Sequence, residues 1–344
     1  MTKKLTEMNN KTFEQIKNLL IAAKSRIISS VNLEMVKAYF EIGRIIVEHE
    51  QAGQTKAEYG KAVLKELSAR LTEEFGKGFS VRNLERMRLF YVKYEKTTTL
   101  STNLDDNKFS LSWSHYVELL KLDDLARKFY EIEAINNHWG VREMNRQISS
   151  NLFERLAINK NDNEIKQLSK EGQIIEDPRD IIKEPYILEF LNLEHTNYSE
   201  TELETKIIDN LESFLLELGK GFAFIGRQKR FSFENKHFYV DLVFYNRLLK
   251  CFVLIDLKIG EITHQDLGQM QMYVNYYDRF EKLKDENKTI GILLCKESDK
   301  AMVEITLPKD SNIYAKKYQL YLPTKEQLEE QINKVANSIK REPL

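Results

Sequence analysis

The sequence predicts an α+β protein in which an all-helical first half precedes a mixed β-sheet flanked by helices. All five prolines lie beyond residue 177, so the strongest helix breaker is absent from the first half. Apolar residues in that half recur at intervals of three and four, which is typical of amphipathic helices. The second half instead contains short apolar runs separated by turn residues, which predict strands.

Composition predicts a globular intracellular protein. The 344 residues, 42% of them apolar, suffice for one large domain or two medium ones. Cys251 and Cys295 lie inside apolar runs, which argues against a disulfide framework or a structural zinc site and for a reduced, cytoplasmic protein. We expect no membrane segment, because no signal core is apparent and no apolar run approaches the roughly 18 residues that a spanning helix needs.

The charge balance leaves nucleic-acid binding open. Lys and Arg together number 52 against 53 for Asp and Glu, which gives a net charge of −1. Any surface that binds DNA must therefore arise from local clustering of basic residues.

The helical half begins with a long apolar periodicity that predicts two helices, or one helix broken near Asn32. The next helix ends at the Gly-Lys-Gly of 76–78, and Ser80 is a good N-cap for a helix over 80–96. A helix, a glycine-containing turn and a helix form the outline of a helix-turn-helix. A polar loop over 97–110 and three further short helices follow.

The predicted domain boundaries follow from the loss of apolar periodicity after residue 158. We expect a helical domain over 1–158, a linker over 159–185 and a sheet domain over 186–344.

The sheet domain is predicted to have the element order αβββαβ. The pattern indicates a helix over 199–219, three strands joined by short hairpin turns, a second helix and a fourth strand. The predicted strands cover 222–233, 237–245, 251–258 and 289–295, and a last strand near 313–322 and a C-terminal helix over 324–341 complete the chain.

Charged residues within two of these apolar strands suggest a site. Asp256 and Lys258 point to the same side of their strand because strand side chains alternate. If Asp241 lies opposite on the neighbouring strand, its carboxylate can approach that of Asp256. Two carboxylates and the carbonyl oxygen of Leu257 suit a hard cation such as Mg²⁺, with Lys258 placed to orient or deprotonate water or to stabilise a phosphate. The alternative is that Asp256 and Lys258 are solvated or simply paired with each other.

The preceding helix offers one more carboxylate. Glu204 lies on the apolar stripe of Ile208, Leu211 and Leu215, so it is a candidate metal ligand or a support for one, unless the helix frays there. Glu217 lies off that stripe, and we expect it to face solvent or cap local structure.

Other polar residues are candidates through their proximity to this site. Gln269 and Tyr273 share a helix face at i and i+4 spacing and could meet a phosphate or a base, although such residues are more often surface and packing residues. Arg227 and Gln228, on the first strand, are candidates for substrate contact.

These residues resemble the PD-(D/E)xK nuclease superfamily, which has a restriction-endonuclease-like core. Asp241 matches its first acidic residue, Asp256 its second and Lys258 its lysine, and Gln269 and Tyr273 are similar to the Gln and Tyr motif of its RecB-like branch. Nearly the whole chain resembles the YhcG-type bacterial nucleases, in segments such as GFSVRNLERMRLFY and DLVFYNRLLKCFVLIDLKIGE.

The resemblance implies a metal-dependent nuclease domain preceded by a helical domain that binds DNA or protein partners. Two positions depart from the family pattern. Asp256 stands where Glu is commoner, and Asn246 stands where His is commoner, which puts any role of that His in doubt here.

The helix after the predicted turn carries the candidate DNA-reading residues Arg82, Asn83 and Arg86. Arg and Asn read guanine and adenine edges, and Arg also binds phosphates. An amphipathic helix that packs Leu84 and Met87 inward would give the same pattern, and binding of a protein partner is a rival reading.

Two functional hypotheses follow. The first is a phosphodiesterase dependent on Mg²⁺, with Mn²⁺ able to substitute, that acts as a DNA endonuclease in defence or DNA processing. A homodimer would suit double-strand cleavage. The alternative is a catalytically inactive DNA-binding or complex-assembly protein, whose binding would be insensitive to EDTA. RNA cleavage is a weaker third possibility, because no RNA-binding signature is present.

Overall fold

The computed structural model describes residues 2–52, 57–95, 109–158, 160–193, 198–233, 236–297, 300–308 and 310–322. The chain divides into two compact units, residues 1–145 and 146–344. The predicted domain boundaries stay a prediction, although the range 159–185 contains regular structure.

Helices alone form the described part of residues 1–145. The sequence left open whether the first helix is broken near Asn32, and the structure has one helix through that point. The helices are α1 (Thr2–Ala52), α2 (Ala57–Phe75), α3 (Val81–Glu95), α4 (Trp113–Leu119), α5 (Asp124–Asn136) and α6 (Val141–Ser149), the last of which continues past residue 145. Most of the predicted loop, 97–108, lies outside the described residues.

The turn between α2 and α3 forms as predicted. Gly76 and Gly78 have φ of 82° and 127°, values that glycine adopts without a steric penalty. The hydroxyl of Ser80 accepts a hydrogen bond from the backbone N–H of Asn83 at 3.3 Å, which caps α3.

Helix α3 is the centre of this unit's core. Leu84, Met87 and Phe90 are fully buried, and Phe90 lies 5.7 Å from Phe40 of α1 between ring centroids. Gly43 of α1 allows this close approach, because a Cβ there would overlap the Met87 carbonyl group.

Residues 146–344 combine helices with one six-stranded sheet. The helices are α7 (Leu152–Ala157), α8 (Asp162–Glu171), α9 (Glu200–Asp209), α10 (Leu211–Leu218), α11 (His264–Tyr276) and α12 (Lys300–Thr306). The strands are β1 (Tyr186–Ile187), β2 (Phe222–Phe233), β3 (Lys236–Asn246), β4 (Cys251–Leu257), β5 (Ile290–Cys295) and β6 (Ile313–Gln319). The predicted order αβββαβ is confirmed from α10 to β5, and the fold is α+β.

The sheet is mixed and places β3 and β4 side by side. The strand order is β1-β6-β5-β4-β3-β2. Strands β2, β3 and β4 pair antiparallel, whereas β4, β5, β6 and β1 pair parallel. Strand β5 is buried throughout, as expected for a parallel strand covered on both faces.

Helices cover both faces of the sheet. Phe214 and Leu218 of α10 pack on one face with Phe244 and Ile255. Met270 and other residues of α11 pack on the opposite face with Leu254, Leu293 and their neighbours.

Several elements differ from the prediction. The helix expected over 199–219 is two helices, because Asn210 ends α9 with its side chain donating to the Lys206 carbonyl at 2.9 Å. Helix α8 lies within the predicted linker and begins with a capping box between Asn161 and Glu164. Helices α7 and α12 and strand β1 were not predicted as separate elements. The predicted C-terminal helix lies outside the described residues.

Within the described ranges, no helix has both the length and the apolar character needed to cross a bilayer.

Candidate active site

Asp241 and Asp256 come together where the β3–β4 ladder ends. The strand register pairs Leu242 with Ile255, which makes the two aspartates the next cross-strand neighbours. The Oδ2 atom of Asp241 accepts a hydrogen bond from the backbone N–H of Leu257 at 2.9 Å. The approach expected from the sequence is therefore present, and the carboxylate of β3 is fixed to the backbone of β4.

Lys258 follows directly after β4 and lies against Asp256. Its Nζ is 2.9 Å from Asp256 Oδ2, and its backbone N–H donates to the Leu294 carbonyl at 2.8 Å. The ion pair anticipated as the alternative reading is thus present, at a position where the lysine remains about 18% exposed.

The electrostatics of this pair are dominated by burial. Asp256 is 3% exposed, and burial followed by the nearby Asp241 charge raises the pKa of Asp256 to about 7, against the opposing effect of Lys258. Burial lowers the pKa of Lys258, but the Asp256 carboxylate outweighs this and raises it to about 12. Lys258 is therefore a cation at neutral pH, whereas Asp256 is then present in both its neutral and its ionised form.

Gln228 links a third carboxylate to the pair. Its Nε2 donates to Glu204 Oε2 at 2.7 Å and to Asp241 Oδ1 at 3.0 Å. Gln228 has a φ of 46° near a register shift in β2 between Phe224 and Gly226. Glu204 is 8% exposed, and burial raises its pKa, with Gln228 opposing and Asp241 adding to the effect. The side chain of Glu204 is therefore directed toward the site.

Gln269 and Tyr273 are in contact with each other on α11, as their spacing predicts. The Gln269 side-chain amide donates to the Tyr273 hydroxyl. Burial raises the pKa of Tyr273, and the charges of Asp256 and Asp241 add to this. Tyr273 thus lies within electrostatic reach of the two aspartates, while its ring packs against Phe231 at 5.5 Å between centroids.

Arg227 is exposed beside this group. Its charge counteracts the rise in the Glu204 pKa, so the guanidinium lies near the carboxylates without an ion pair among the described residues.

The candidate DNA-reading residues of α3 have different roles. Arg82 is exposed and Arg86 half-buried, whereas the Asn83 side chain is engaged within the chain. Its Nδ2 donates to the Gly78 carbonyl at 2.6 Å, and its Oδ1 accepts from Trp113 Nε1 at 3.1 Å. Asn83 therefore stabilises the turn.

The expectation that Glu217 faces solvent is wrong. Glu217 is fully buried and forms an ion pair with Arg155 at 2.5 Å. Its Oε1 also accepts from the Ile187 N–H at 2.9 Å. Burial alone would raise the pKa of Glu217, but Arg155 and Lys183 outweigh it and hold the pKa below its usual value. This cluster is structural and separate from the aspartate pair.

Asn246 closes the β3–β4 turn. It is fully buried, and its Oδ1 accepts from the N–H groups of Leu248 and Leu249 at 3.0 and 3.1 Å. Asn246 is the last residue of β3, at the far end of the β3–β4 ladder from Asp241.

Two acidic residues near Lys258 were missed. Glu200 Oε2 lies 4.0 Å from Lys258 Nζ, and Asp266 Oδ1 lies 3.8 Å from it. Asp266 is the N3 residue of a capping box with Thr263, and that Thr-x-x-Asp spacing is a signal the sequence contains.

The residues present fit a divalent cation. Asp241 and Asp256 bring like charges together in a buried place, and oxygen ligands of this kind, with the Leu257 carbonyl, are what Mg²⁺ and similar ions accept. A cation there would offset the burial and the repulsion from Asp241 that together raise the pKa of Asp256. Among the described residues, no three His, Cys, Asp or Glu side chains converge as a metal-binding group. The Gln228 amide donates to both Glu204 and Asp241.

The fold and these residues define the class as a PD-(D/E)xK nuclease domain. Residues 179–333 match the family described as the YhcG PDDEXK nuclease domain, and residues 15–155 match the DUF1016 N-terminal domain. The chain belongs to the YhcG family. Nucleases of the PD-(D/E)xK class generally use divalent metal ions.

One relative spans almost the whole chain. The Escherichia coli (strain K12) protein named "Putative nuclease YhcG" is 34% identical over 359 aligned positions, covering 95% of this chain and 96% of its own length. Among solved structures, a repair endonuclease from Pyrococcus abyssi is similar over 38% of this chain and 50% of that chain, with 19% identity and a TM-score of 0.25.

Proposed function

We propose that the protein is a Mg²⁺-dependent phosphodiesterase that hydrolyses DNA in the cytoplasm as an endonuclease, with Mn²⁺ able to replace Mg²⁺. One observation carries the proposal: a buried aspartate, Asp256, lies beside a second aspartate and a lysine where the pairing of β3 and β4 ends. Membership of a nuclease family supports the same conclusion.

Asp241, Asp256 and the Leu257 carbonyl would hold the cation. When bound, the cation supplies Lewis acidity toward a phosphate oxygen and lowers the pKa of a coordinated water. In the hydrolysis, a water oxygen bonds to phosphorus and gives up a proton, the bond from phosphorus to the leaving oxygen breaks, and the leaving oxygen gains a proton.

Lys258 stabilises charge in this proposal. Its pKa of about 12 keeps the ammonium protonated at neutral pH, which favours a role in orienting water and stabilising the negative phosphate over a role as the base. Gln228 and Glu204 position Asp241 through the hydrogen bonds of the Gln228 amide.

The Lys258–Asp256 ion pair also favours a second candidate, a binding or assembly protein whose nuclease fold is inactive. In that case Lys258 would neutralise Asp256 permanently, and binding of DNA or partners would rely on residues such as Arg82 and Arg86. Such binding would be insensitive to EDTA.

Cleavage assays separate the two candidates. Supercoiled, linear, branched and single-stranded DNA are incubated with wild type, Asp256→Ala and Lys258→Ala in Mg²⁺, Mn²⁺ or EDTA. We expect cleavage that requires a metal, disappears in Asp256→Ala and falls about 10²- to 10³-fold in Lys258→Ala. Lys288→Ala changes an exposed lysine near β5 and should cut like wild type. If wild type cuts no substrate in either metal, the inactive candidate replaces the nuclease proposal.

A further inference from the structure

A concentration of positive charge lies on the β2–β3 hairpin, beyond the candidate active site. Its sequence, residues 226–240, contains the four basic residues Arg227, Lys229, Arg230 and Lys236 against one acidic residue, Glu234. The whole chain has a net charge of −1. The hairpin is therefore a local cationic surface of the kind that an anionic polymer would recognise.

The two faces of the hairpin differ in what they contact. Phe231 stacks on Tyr276 of α11 with ring centroids 4.1 Å apart, and its cross-strand neighbour Phe238 lies 5.4 Å from it. Arg230 and Tyr239, which are paired in the register, take the other face because strand side chains alternate. Tyr239 is 46% exposed.

Hydrogen bonds organise this outer face. The Arg230 guanidinium lies 3.1 Å from Nδ1 of the His237 ring, and the Ser232 hydroxyl lies 2.8 Å from the same nitrogen. Three planar side chains, those of Arg230, His237 and Tyr239, are thus exposed side by side. We refer to Arg230, Ser232, His237 and Tyr239 as the hairpin platform.

The hairpin platform leads directly to the candidate site. Tyr239 and Asp241 are two positions apart on β3, so their Cα atoms are about 7 Å apart. Two residues before Arg230 on β2 lies Gln228, which donates to Asp241. A strand held on the platform would therefore run toward the aspartate pair.

We propose that the hairpin platform binds single-stranded DNA, with unpaired bases stacked on Tyr239 and His237 and phosphates held by Arg230 and the neighbouring basic residues. This inference rests on the proposed nuclease function and specifies its substrate class. Unpaired bases expose the π-faces on which aromatic and guanidinium planes stack, whereas the bases of an intact duplex are covered by their neighbours.

The first test measures binding without cleavage. Fluorescence anisotropy follows labelled oligo(dT), and separately a labelled duplex, in EDTA. We expect Tyr239→Ala to weaken oligo(dT) binding about 5- to 100-fold, the range for loss of one stacking partner, and to leave duplex binding unchanged. Tyr239→Phe keeps the ring and should bind oligo(dT) like wild type. Tyr321→Ala removes a tyrosine of matched exposure, 48%, and should have no effect.

The second test concerns charge. Arg230→Gln should reduce the slope of log affinity against log salt for oligo(dT) by about 0.7, the value for one phosphate contact on a single strand. Arg247→Gln changes an exposed arginine at the other end of β3 and should leave that slope unchanged.

Two results would overturn the inference: oligo(dT) binding by Tyr239→Ala at the wild-type level, or an equal loss on oligo(dT) and duplex. Failure of the nuclease proposal looks different, because wild type would then bind oligo(dT) through Tyr239 and yet cut no DNA in any metal.

Discussion

Replacing Asp256 by Asn should stabilise the metal-free protein at pH 8. The pKa of Asp256 is raised from 3.8 to about 7, and each pKa unit corresponds to about 1.4 kcal/mol. Ionised Asp256 therefore opposes folding by on the order of 4 kcal/mol, a figure that already includes the attraction of Lys258. Asn keeps the shape of the neutral side chain and removes this cost.

The difference in stability between Asp256→Asn and wild type should increase with pH. A group whose pKa is higher in the folded state favours folding most below its unfolded pKa, near 4, and loses that contribution as the pH rises through about 7. Wild type and Asp256→Asn should therefore be nearly equal in stability below pH 4 and should diverge progressively up to pH 8. Divalent metal should narrow the difference at pH 8, because it stabilises wild type by mass action, whereas the variant lacks one carboxylate ligand.

Urea unfolding in EDTA and in Mg²⁺, followed by far-UV circular dichroism, measures this difference. Both tryptophans, Trp113 and Trp139, lie within residues 1–145, so their fluorescence reports separately on that unit and should not change. Asp209→Asn replaces an exposed aspartate at the end of α9 and should stay within about 0.5 kcal/mol of wild type. If Asp256→Asn is no more stable than wild type at pH 8 in EDTA, burial beside Asp241 does not raise the pKa of Asp256.

Two further predictions concern buried contacts. Glu217→Ala should destabilise the protein by about 3 to 5 kcal/mol, because it leaves Arg155 buried without its ion-pair partner. The double variant with Arg155→Met and Glu217→Met should recover much of that loss in the same urea experiment. If it recovers none, loss of the ion pair is not the cause of the destabilisation. Gly43→Ala should lower stability by about 1 to 3 kcal/mol despite the better helix propensity of Ala, because its Cβ would overlap the Met87 carbonyl. Gly140→Ala meets no atom within 4 Å and serves as the control, and equal melting temperatures for the two glycine variants would contradict the packing argument.

Local patterns predicted most of the fold because the relevant forces act over a few residues. Strands β4 and β5 are apolar runs that are buried almost throughout, and burial on both faces is what such runs indicate. The turn before α3 was predictable because Gly76, Gly78 and Ser80 each have one strong local preference.

The position of Glu217 could not be predicted in the same way. The prediction placed Glu217 by its spacing from the apolar stripe, as if residues 199–219 formed one continuous helix. The break at Asn210 changes the helix phase between α9 and α10. Its partner Arg155 lies in α7, and no local pattern connects residues so far apart in sequence.

In the candidate site, the two aspartates and Lys258 were predictable because strand alternation and adjacency fix where their side chains point. The bridging role of Gln228 was not, since it depends on a positive φ and a register shift in β2. The sequence signals neither feature, because Gln rarely adopts a positive φ and its presence therefore does not predict one.

The two buried charge clusters of residues 146–344 point to different purposes through the balance of their charges. At Glu217, cations from Arg155 and Lys183 outweigh the cost of burial and lower the carboxyl pKa. At Asp256, one lysine does not outweigh burial and a second aspartate, and the pKa rises. A cluster that only stabilised the fold would be expected to resemble the first, since a buried repulsion between like charges costs stability. The second cluster lacks positive charge, and a divalent cation would supply it. The aspartate pair is therefore a better candidate for a catalytic site than the more deeply buried Glu217.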